Sequence, residues 1–349
     1  MDRVRVGIAG CGSVSEKYLA RMLKSPFIEI VSACDIVFDR ARKRASEYGI
    51  PNAFASLDEM LTGPPFDLFL NSTSMQSHYS LNKKALLAGK HIFSEKPFVG
   101  TVTEGRELIA LAESKNRQLW AAPNVVTSPQ YRYMMDVFSS GILGKVHAAH
   151  ACYGHCGPSW GPWFYKKGGG SLFDLAVYNI TTLTGLLGPA RSVTALMGAA
   201  IPERIVEGER VRVEADDNVM LLMDHGDSVY SHIQTGFVYH ATPEDRSLEF
   251  FGTKGAMYLL GWDWGPRGVQ ILTDHEKGWE THCTGTNDYV WEDGVNYVAE
   301  CLVTGKLSSM TPEHALHVLE VMQAARDSAE TGRRKTLESL FSWPLIKNF

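Results

Sequence analysis

The chain is 349 residues long, enough for two domains with separate cores. Its 44% hydrophobic and 21% charged composition is ordinary for a globular protein, and a formal net charge of -5 argues against nucleic-acid or anionic-membrane partners, which require a concentrated basic face. No apolar run is long enough to span a bilayer, and the six cysteines are too dispersed for a disulfide framework.

Val4 to Ala9 is an apolar stretch that predicts a buried first strand rather than a secretory signal, so a cytoplasmic location is expected. Ser13 to Leu23 has helical spacing, with Val14, Tyr18, Leu19 and Met22 on one side. A second strand over Ile28 to Cys34 precedes a helix over Val37 to Tyr48 that Gly49 stops. Strands follow at Asp67 to Asn71, His91 to Ser94 and Gln118 to Ala121, with helices at Ser77 to Leu87 and Thr101 to Lys115. Strands alternating with helices of about a dozen residues predict a doubly wound parallel sheet.

Beyond about Asn124 the rhythm changes. Strand-like runs at Val146–Tyr153, Ser192–Met197, Asn218–Met223, Ser228–Thr235, Ser247–Phe251 and Ala256–Leu260 predict a mostly antiparallel open sheet with a few helices. The expected architecture is an α/β Rossmann domain over residues 1–123 and an α+β domain for substrate binding and oligomerisation over 124–349.

The first strand runs into Gly10-Cys11-Gly12-Ser13-Val14-Ser15, a dinucleotide fingerprint with serine in place of its third glycine. The pattern needs small residues for a tight turn, for backbone approach to a pyrophosphate and for close helix packing. Gly10, Gly12, Ser13 and Val14 are therefore expected against the pyrophosphate, at the positive end of the following helix. Asp35 ends the second strand, where a carboxylate accepts hydrogen bonds from the adenosine ribose. Asp35 disfavours the 2′-phosphate of NADP, and Ile36 offers no charge to offset it. NAD is expected, and Arg40 leaves NADP open.

Two further stretches carry chemistry. Glu95-Lys96-Pro97 closes a strand at the sheet edge where α/β proteins bind ligands, so Lys96 can reach the reactive end of a bound nucleotide. Gly168-Gly169-Gly170-Ser171-Leu172-Phe173-Asp174-Leu175-Ala176-Val177-Tyr178 reads as a helix starting at Gly170 or Ser171. Asp174 and Tyr178 then project from one face. On periodicity alone Tyr178 could equally be a core aromatic and Asp174 a local cap.

Together these stretches resemble the glucose–fructose oxidoreductase/inositol dehydrogenase/rhizopine-catabolism family, called Gfo/Idh/MocA, over essentially the whole chain. The triple-glycine run is similar to the family's Gly-Gly-Gly-x-x-x-Asp-x-Gly-x-His segment, with Ala176 for glycine, Tyr178 for histidine and Thr181 where an aspartate often follows. Tyrosine at this place is the version seen in relatives resembling glucose–fructose oxidoreductase and dimeric dihydrodiol dehydrogenase. Thr73-Ser74-Met75-Gln76-Ser77-His78 departs from the family's Thr-Pro-Asn-x-x-His at its second and third positions, while Thr73 and His78 match.

The resemblance implies cofactor contacts from Thr73, His78, Glu95, Lys96 and Asn124, a cis Lys96–Pro97 bond, and catalysis by Lys96, Asp174 and Tyr178, with Tyr178 as general acid/base. His78 has a second reading, as a helix-start histidine satisfied by local backbone. Bringing a phenol from its ordinary pKa of about 10 to about 7.5 needs about 3.4 kcal/mol. One ammonium about 4 Å away supplies about 4 kcal/mol at an effective dielectric of about 20. A single lysine is sufficient in magnitude.

Tyr153, Trp160 and Trp163 suit the apolar face of a sugar or aromatic ring, with Trp262 and Trp264 as additions; core packing is the competing reading for each. Phe164 stands where many relatives carry arginine, suggesting a less polar substrate end. His150-x-Cys152-x-x-His155-Cys156 matches no common zinc spacing, so no metal is expected.

The resemblance implies hydride transfer between NAD and a secondary hydroxyl or ketone of a sugar, polyol or glycoside, in a homodimer or homotetramer. Two alternatives remain: a redox glycosidase that oxidises a sugar carbon transiently, and a nucleotide-sensing regulator without catalysis.

Overall fold

The computed structural model describes residues 2–242, 246–285 and 289–345. It forms two compact units, Met1–Asn124 with Trp291–Leu316, and Val125–Val290 with His317–Phe349.

The first unit holds six strands: β1 Val4–Ala9, β2 Ile28–Cys34, β3 Asn52–Phe54, β4 Leu68–Asn71, β5 His91–Ser94 and β6 Leu119–Ala121. All pair in parallel, in the order β3-β2-β1-β4-β5-β6. Helices α1 Ser13–Met22, α2 Phe38–Tyr48, α3 Leu57–Thr62, α4 His78–Leu87 and α5 Val102–Ser114 join them. β4 is buried at every position, as a strand covered on both faces must be. Helix ends follow local chemistry. Gly49 stops α2 at φ 65, and a reciprocal capping box of Thr101 and Glu104 starts α5. Strand order reverses between β1 and β4, the place where such sheets bind ligands at their carboxyl ends.

The second unit begins with α6 Pro129–Ser140, which Ser128 caps by accepting from the Tyr131 amide and Gly141 closes at φ 68. Its sheet contains β7 Val146–Gly154, β8 Ser192–Gly198, β11 Asn218–Gly226, β12 Val229–Gly236, β13 Leu248–Gly252, β14 Ala256–Trp262, β15 Gly265–Leu272, β16 Glu280–His282 and β17 Lys335–Thr336. The order is β16-β15-β14-β13-β7-β12-β11-β8-β17, with β7–β12 the one parallel pair. A separate hairpin joins β9 Glu203–Val206 to β10 Glu209–Arg212. Burial alternates along β11, so one face of the sheet is packed and the other open. Helix α7, Val177–Leu187, lies in this unit and is buried at nearly every position.

The expected fold class is present in both halves. Short or atypical elements escaped the sequence: β3, α3, α6, the β9–β10 hairpin and β15 to β17. Strands of two or three residues carry too little alternation to register. The sequence also predicts a regular helix through Asp174. Helical backbone does start at Ser171, but Leu172–Ala176 is wound as a π-helical turn, and α-helix begins only at Val177.

Candidate active site

In the first unit every candidate cofactor residue sits at the carboxyl end of a strand. Gly10 turns the chain after β1 at φ 88, and a Cβ there would lie 2.5 Å from the Ser72 carbonyl oxygen, so only glycine lets the loops after β1 and β4 pass. Gly12 is the N-cap of α1 and offers no side chain to its first amides. The amides around Ser13 and Val14 are thus free of a capping side chain at the positive end of the helix. Ser15, buried, donates 2.6 Å to the Gly12 carbonyl and does the packing work of the missing third glycine. These features fit a dinucleotide pyrophosphate.

Asp35, at the end of β2, accepts 2.8 Å hydrogen bonds from the amides of Cys11 and Val37, one on each oxygen. The carboxylate is therefore fixed, and each oxygen keeps lone-pair capacity for a ribose hydroxyl. Ile36 beside it is 94% exposed. Burial pushes the thiols of Cys11 and Cys34 up to about 12, which leaves them unreactive neighbours of this turn.

The loops after β4 and β5 share one buried polar chain. Thr73 Oγ1 donates 2.7 Å to Asn71 Oδ1, Asn71 Nδ2 donates 2.8 Å to Asn82 Oδ1, and Asn82 Nδ2 donates 3.0 Å to Ser94 Oγ. His78 is buried, with Nδ1 2.7 Å from the Pro97 carbonyl and Nε2 3.1 Å from the Thr73 carbonyl. Both ring nitrogens thus face backbone carbonyls, to one of which a neutral ring can donate, so His78 links the loops after β4 and β5. Burial holds its pKa below the usual histidine value, against the pull of those carbonyls.

The Lys96–Pro97 bond is cis, as the resemblance implied. Glu95 beside it is a brace. Its Oε1 accepts 2.5 Å from the Tyr18 hydroxyl of α1, and its Oε2 accepts 2.9 Å from the Lys96 amide. Asn124, buried, follows β6 at the same end of the sheet.

The second unit carries the other candidates. Gly170, at φ 102, approaches Asp216 so closely that a Cβ would collide with its carboxylate. Asp216 then caps the helical start from outside, accepting 2.9 Å from Ser171 Oγ and 2.8 Å from the Leu172 amide. Across Gly169–Leu186 every residue is buried except Asp174 and Tyr178, which are partly exposed. The π-helical turn bearing Asp174 packs against β7 and β12.

At the end of β7, Tyr153 lies 5.0 Å from Trp262 and 5.8 Å from Trp264 between ring centroids. His155 stacks on Phe237 at 5.4 Å and accepts 2.9 Å from the Gly157 amide through Nδ1, which leaves Nε2 to carry the proton of a neutral ring. Burial lowers its pKa, while the Asp174 charge pulls upward and Arg204 lowers it further. Trp160 and Trp163 are 48% and 43% exposed, and both pack on Phe164. His150 faces Glu249 at 3.6 Å and His232 in an edge contact, and among the described residues no three His, Cys, Asp or Glu side chains gather as a metal set.

One residue in each unit was missed in the sequence: Tyr18 in the first, which reads there only as a core aromatic, and Asp263 in the second. Asp263 sits fully buried between Trp262 and Trp264, and an acid flanked by two pocket tryptophans was the available signal.

A glycine turn into an uncapped helix, in a parallel sheet of this order, is the arrangement of a dinucleotide-binding domain. The sequence matches the profile described as "Oxidoreductase family, NAD-binding Rossmann fold" over residues 4–122, and that of the GFO/IDH/MocA C-terminal domain over residues 131–258. It is 30% identical over 351 residues to an uncharacterized oxidoreductase, ORF334, of Rhizobium meliloti, covering 97% of this chain and 100% of that one. It is 24% identical over 318 residues to the trans-1,2-dihydrobenzene-1,2-diol dehydrogenase of Bos taurus, covering 86% and 89%. The structure of a levoglucosan dehydrogenase in complex with NADH and L-sorbose superposes with a TM-score of 0.84 at 19% identity, covering 97% of this chain and 100% of that one. The chain belongs to the Gfo/Idh/MocA family of NAD-binding oxidoreductases.

Proposed function

We propose that the protein transfers a hydride between NAD and a secondary hydroxyl or ketone of a sugar, polyol or glycoside. The observation that carries this reading is the isolation of Asp174 and Tyr178 as the two partly exposed side chains in the otherwise buried stretch Gly169–Leu186. A core helix exposes two ionisable groups one turn apart at a cost in burial, which a reaction at that spot explains.

When bound, the nicotinamide supplies the hydride acceptor or donor. Tyr178 Oη takes the proton of the substrate hydroxyl in oxidation and returns it in reduction. Lys96, in the first unit, and Asp174, beside Tyr178 in the second, are the other two residues to which this reading gives a part in catalysis. Glu95, Tyr18 and His78 keep the Lys96 loop in one shape.

The Tyr153, Trp262 and Trp264 cluster, with Trp160 and Trp163, supports a ring substrate having one apolar face. The reading extends to a preference for NAD over NADP through Asp35, to a cytoplasmic setting in keeping with six free cysteines, and to a homodimer or homotetramer. Leu196, Met220, Leu222 and Tyr230 stand exposed on the open face of the nine-stranded sheet, the surface a second copy would cover.

The test mixes purified protein and NAD with D-glucose, myo-inositol, levoglucosan and a methyl glycoside while following the absorbance of reduced nicotinamide. A rise with one of them supports the proposal. Glycoside cleavage without net reduction would replace it with the redox glycosidase, and NAD binding with neither outcome would leave a regulator.

A further inference from the structure

Asp263 has no role in the scheme above, yet it is a buried acid of the second unit whose bonding partners are all neutral. It occupies the two-residue turn between β14 and β15, and its carboxyl is fully buried. Oδ2 accepts 3.0 Å from Asn179 Nδ2 and 3.1 Å from Thr182 Oγ1, both on α7. Oδ1 has no hydrogen-bond partner among the described residues, and neither has Oδ1 of Asn179. Burial raises the pKa of Asp263 to about 6, against donors that are all neutral: Asn179, Thr182, and the backbone at Trp264 and Asp263 itself. A buried acid without a cation costs stability, and a leucine in its place would remove that cost.

Its position gives it work to do. Asn179 directly follows Tyr178, and Thr182 also reaches the Tyr178 carbonyl at 3.2 Å. The grip falls within the first two turns of α7, just after the π-helical turn ends at Ala176. A π turn carries an extra residue, so the azimuth of everything after it depends on where regular winding resumes. On either side of Asp263, Trp262 at the end of β14 and Trp264 in the turn both pack against Tyr153.

We propose that Asp263 is a positioning residue for Tyr178: by holding Asn179 and Thr182 it fixes the rotation of α7 and ties it to the aromatic wall. The phenol and the surface on which a ring substrate stacks are thereby set by one buried carboxyl. The inference rests on the role given to Tyr178 above.

The test needs no substrate. With NAD bound, the phenolate absorbance of the wild-type protein is titrated and the signal of Tyr178→Phe subtracted, isolating the Tyr178 phenol. The midpoint should fall below the ordinary tyrosine value of about 10. Asp263→Leu is expected to raise that midpoint by about one unit, a tenfold loss of acidity, and Asp263→Asn, which keeps the acceptor toward α7, to restore it. A midpoint left where it was in a folded Asp263→Leu, whichever way the melting temperature moves, overturns the inference. Should Asp263→Leu fail to fold, Thr182→Val carries the test, with about a threefold change expected and an unchanged midpoint contradicting it. A difference signal no lower than that of an ordinary tyrosine would instead remove Tyr178 from the chemistry, and the positioning role with it.

Discussion

The Tyr18 hydroxyl of α1 donates 2.5 Å to Glu95, whose other oxygen receives the Lys96 amide at 2.9 Å. The helix that opens on the nucleotide fingerprint is thereby bonded to the loop carrying the candidate catalytic lysine. Tyr18 is fully buried, with its ring edge-on to Phe93 and Trp291.

Tyr18→Phe keeps those ring contacts and deletes one hydrogen bond to a carboxylate, a loss of about 1.5–3 kcal/mol. Urea unfolding should report that loss. With Lys96 less firmly held, turnover should fall while NAD affinity, set mainly by the loops after β1 and β2, stays close to wild type. Equal losses in both would mean that the brace serves the cofactor rather than the lysine.

Asp35 is fixed by the Cys11 and Val37 amides, and Ile36 next to it carries no charge. Asp35→Ser removes the repulsion toward a 2′-phosphate. The ratio of kcat/KM for NADP to that for NAD should rise about tenfold or more, equivalent to about 1.4 kcal/mol. A ratio unchanged by the substitution would remove Asp35 from cofactor selection.

His317 is fully buried, with Nε2 accepting 3.0 Å from the Ala190 amide and Nδ1 2.9 Å from Ser339 Oγ. Burial depresses its pKa to about 4. The fold keeps this ring neutral while the unfolded chain protonates it at about 6.5, so the unfolded state binds the extra proton between those values. Stability from this group is complete above about pH 6.5 and falls as pH drops toward about 4. Asp263, raised to about 6, acts oppositely and gains stability over the lower part of that window. Melting temperatures between neutral pH and about pH 5 should therefore fall, and His317→Gln, which cannot titrate, should flatten the curve. The same slope in the variant would shift the effect to other buried histidines such as His225.

Much of this was legible in the sequence, for identifiable reasons. Val4–Ala9 and Ile28–Cys34 are apolar runs bounded by glycine or acid, so period and punctuation agree on buried parallel strands. Gly10, Gly12 and Asp35 register because their spacing follows from the shape of a nucleotide. What escaped depends on contacts distant along the chain. The cap on the helical start before Asp174 comes from Asp216, some forty-five residues on, closing over Gly170 and Ser171. Nothing in the sequence pairs Glu95 with Tyr18, seventy-seven residues earlier, or His78 with the Pro97 carbonyl, nineteen residues on. The two flanking tryptophans point to Asp263, but its partners Asn179 and Thr182, some eighty residues earlier, leave no trace in that pattern.

The most direct test of the central claim compares wild type with Tyr178→Phe, each saturated with NAD and mixed with whichever of the four probe alcohols wild type oxidises, by rapid-mixing absorbance of reduced nicotinamide. Positioned acid–base catalysis contributes about 100- to 10,000-fold. The variant should bind NAD and alcohol as wild type does and form reduced nicotinamide at least about 100-fold more slowly, with the deficit easing at high pH, where hydroxide can take the proton. Equal rates of formation in the two proteins would contradict the account and return Tyr178 to the role of a packed aromatic.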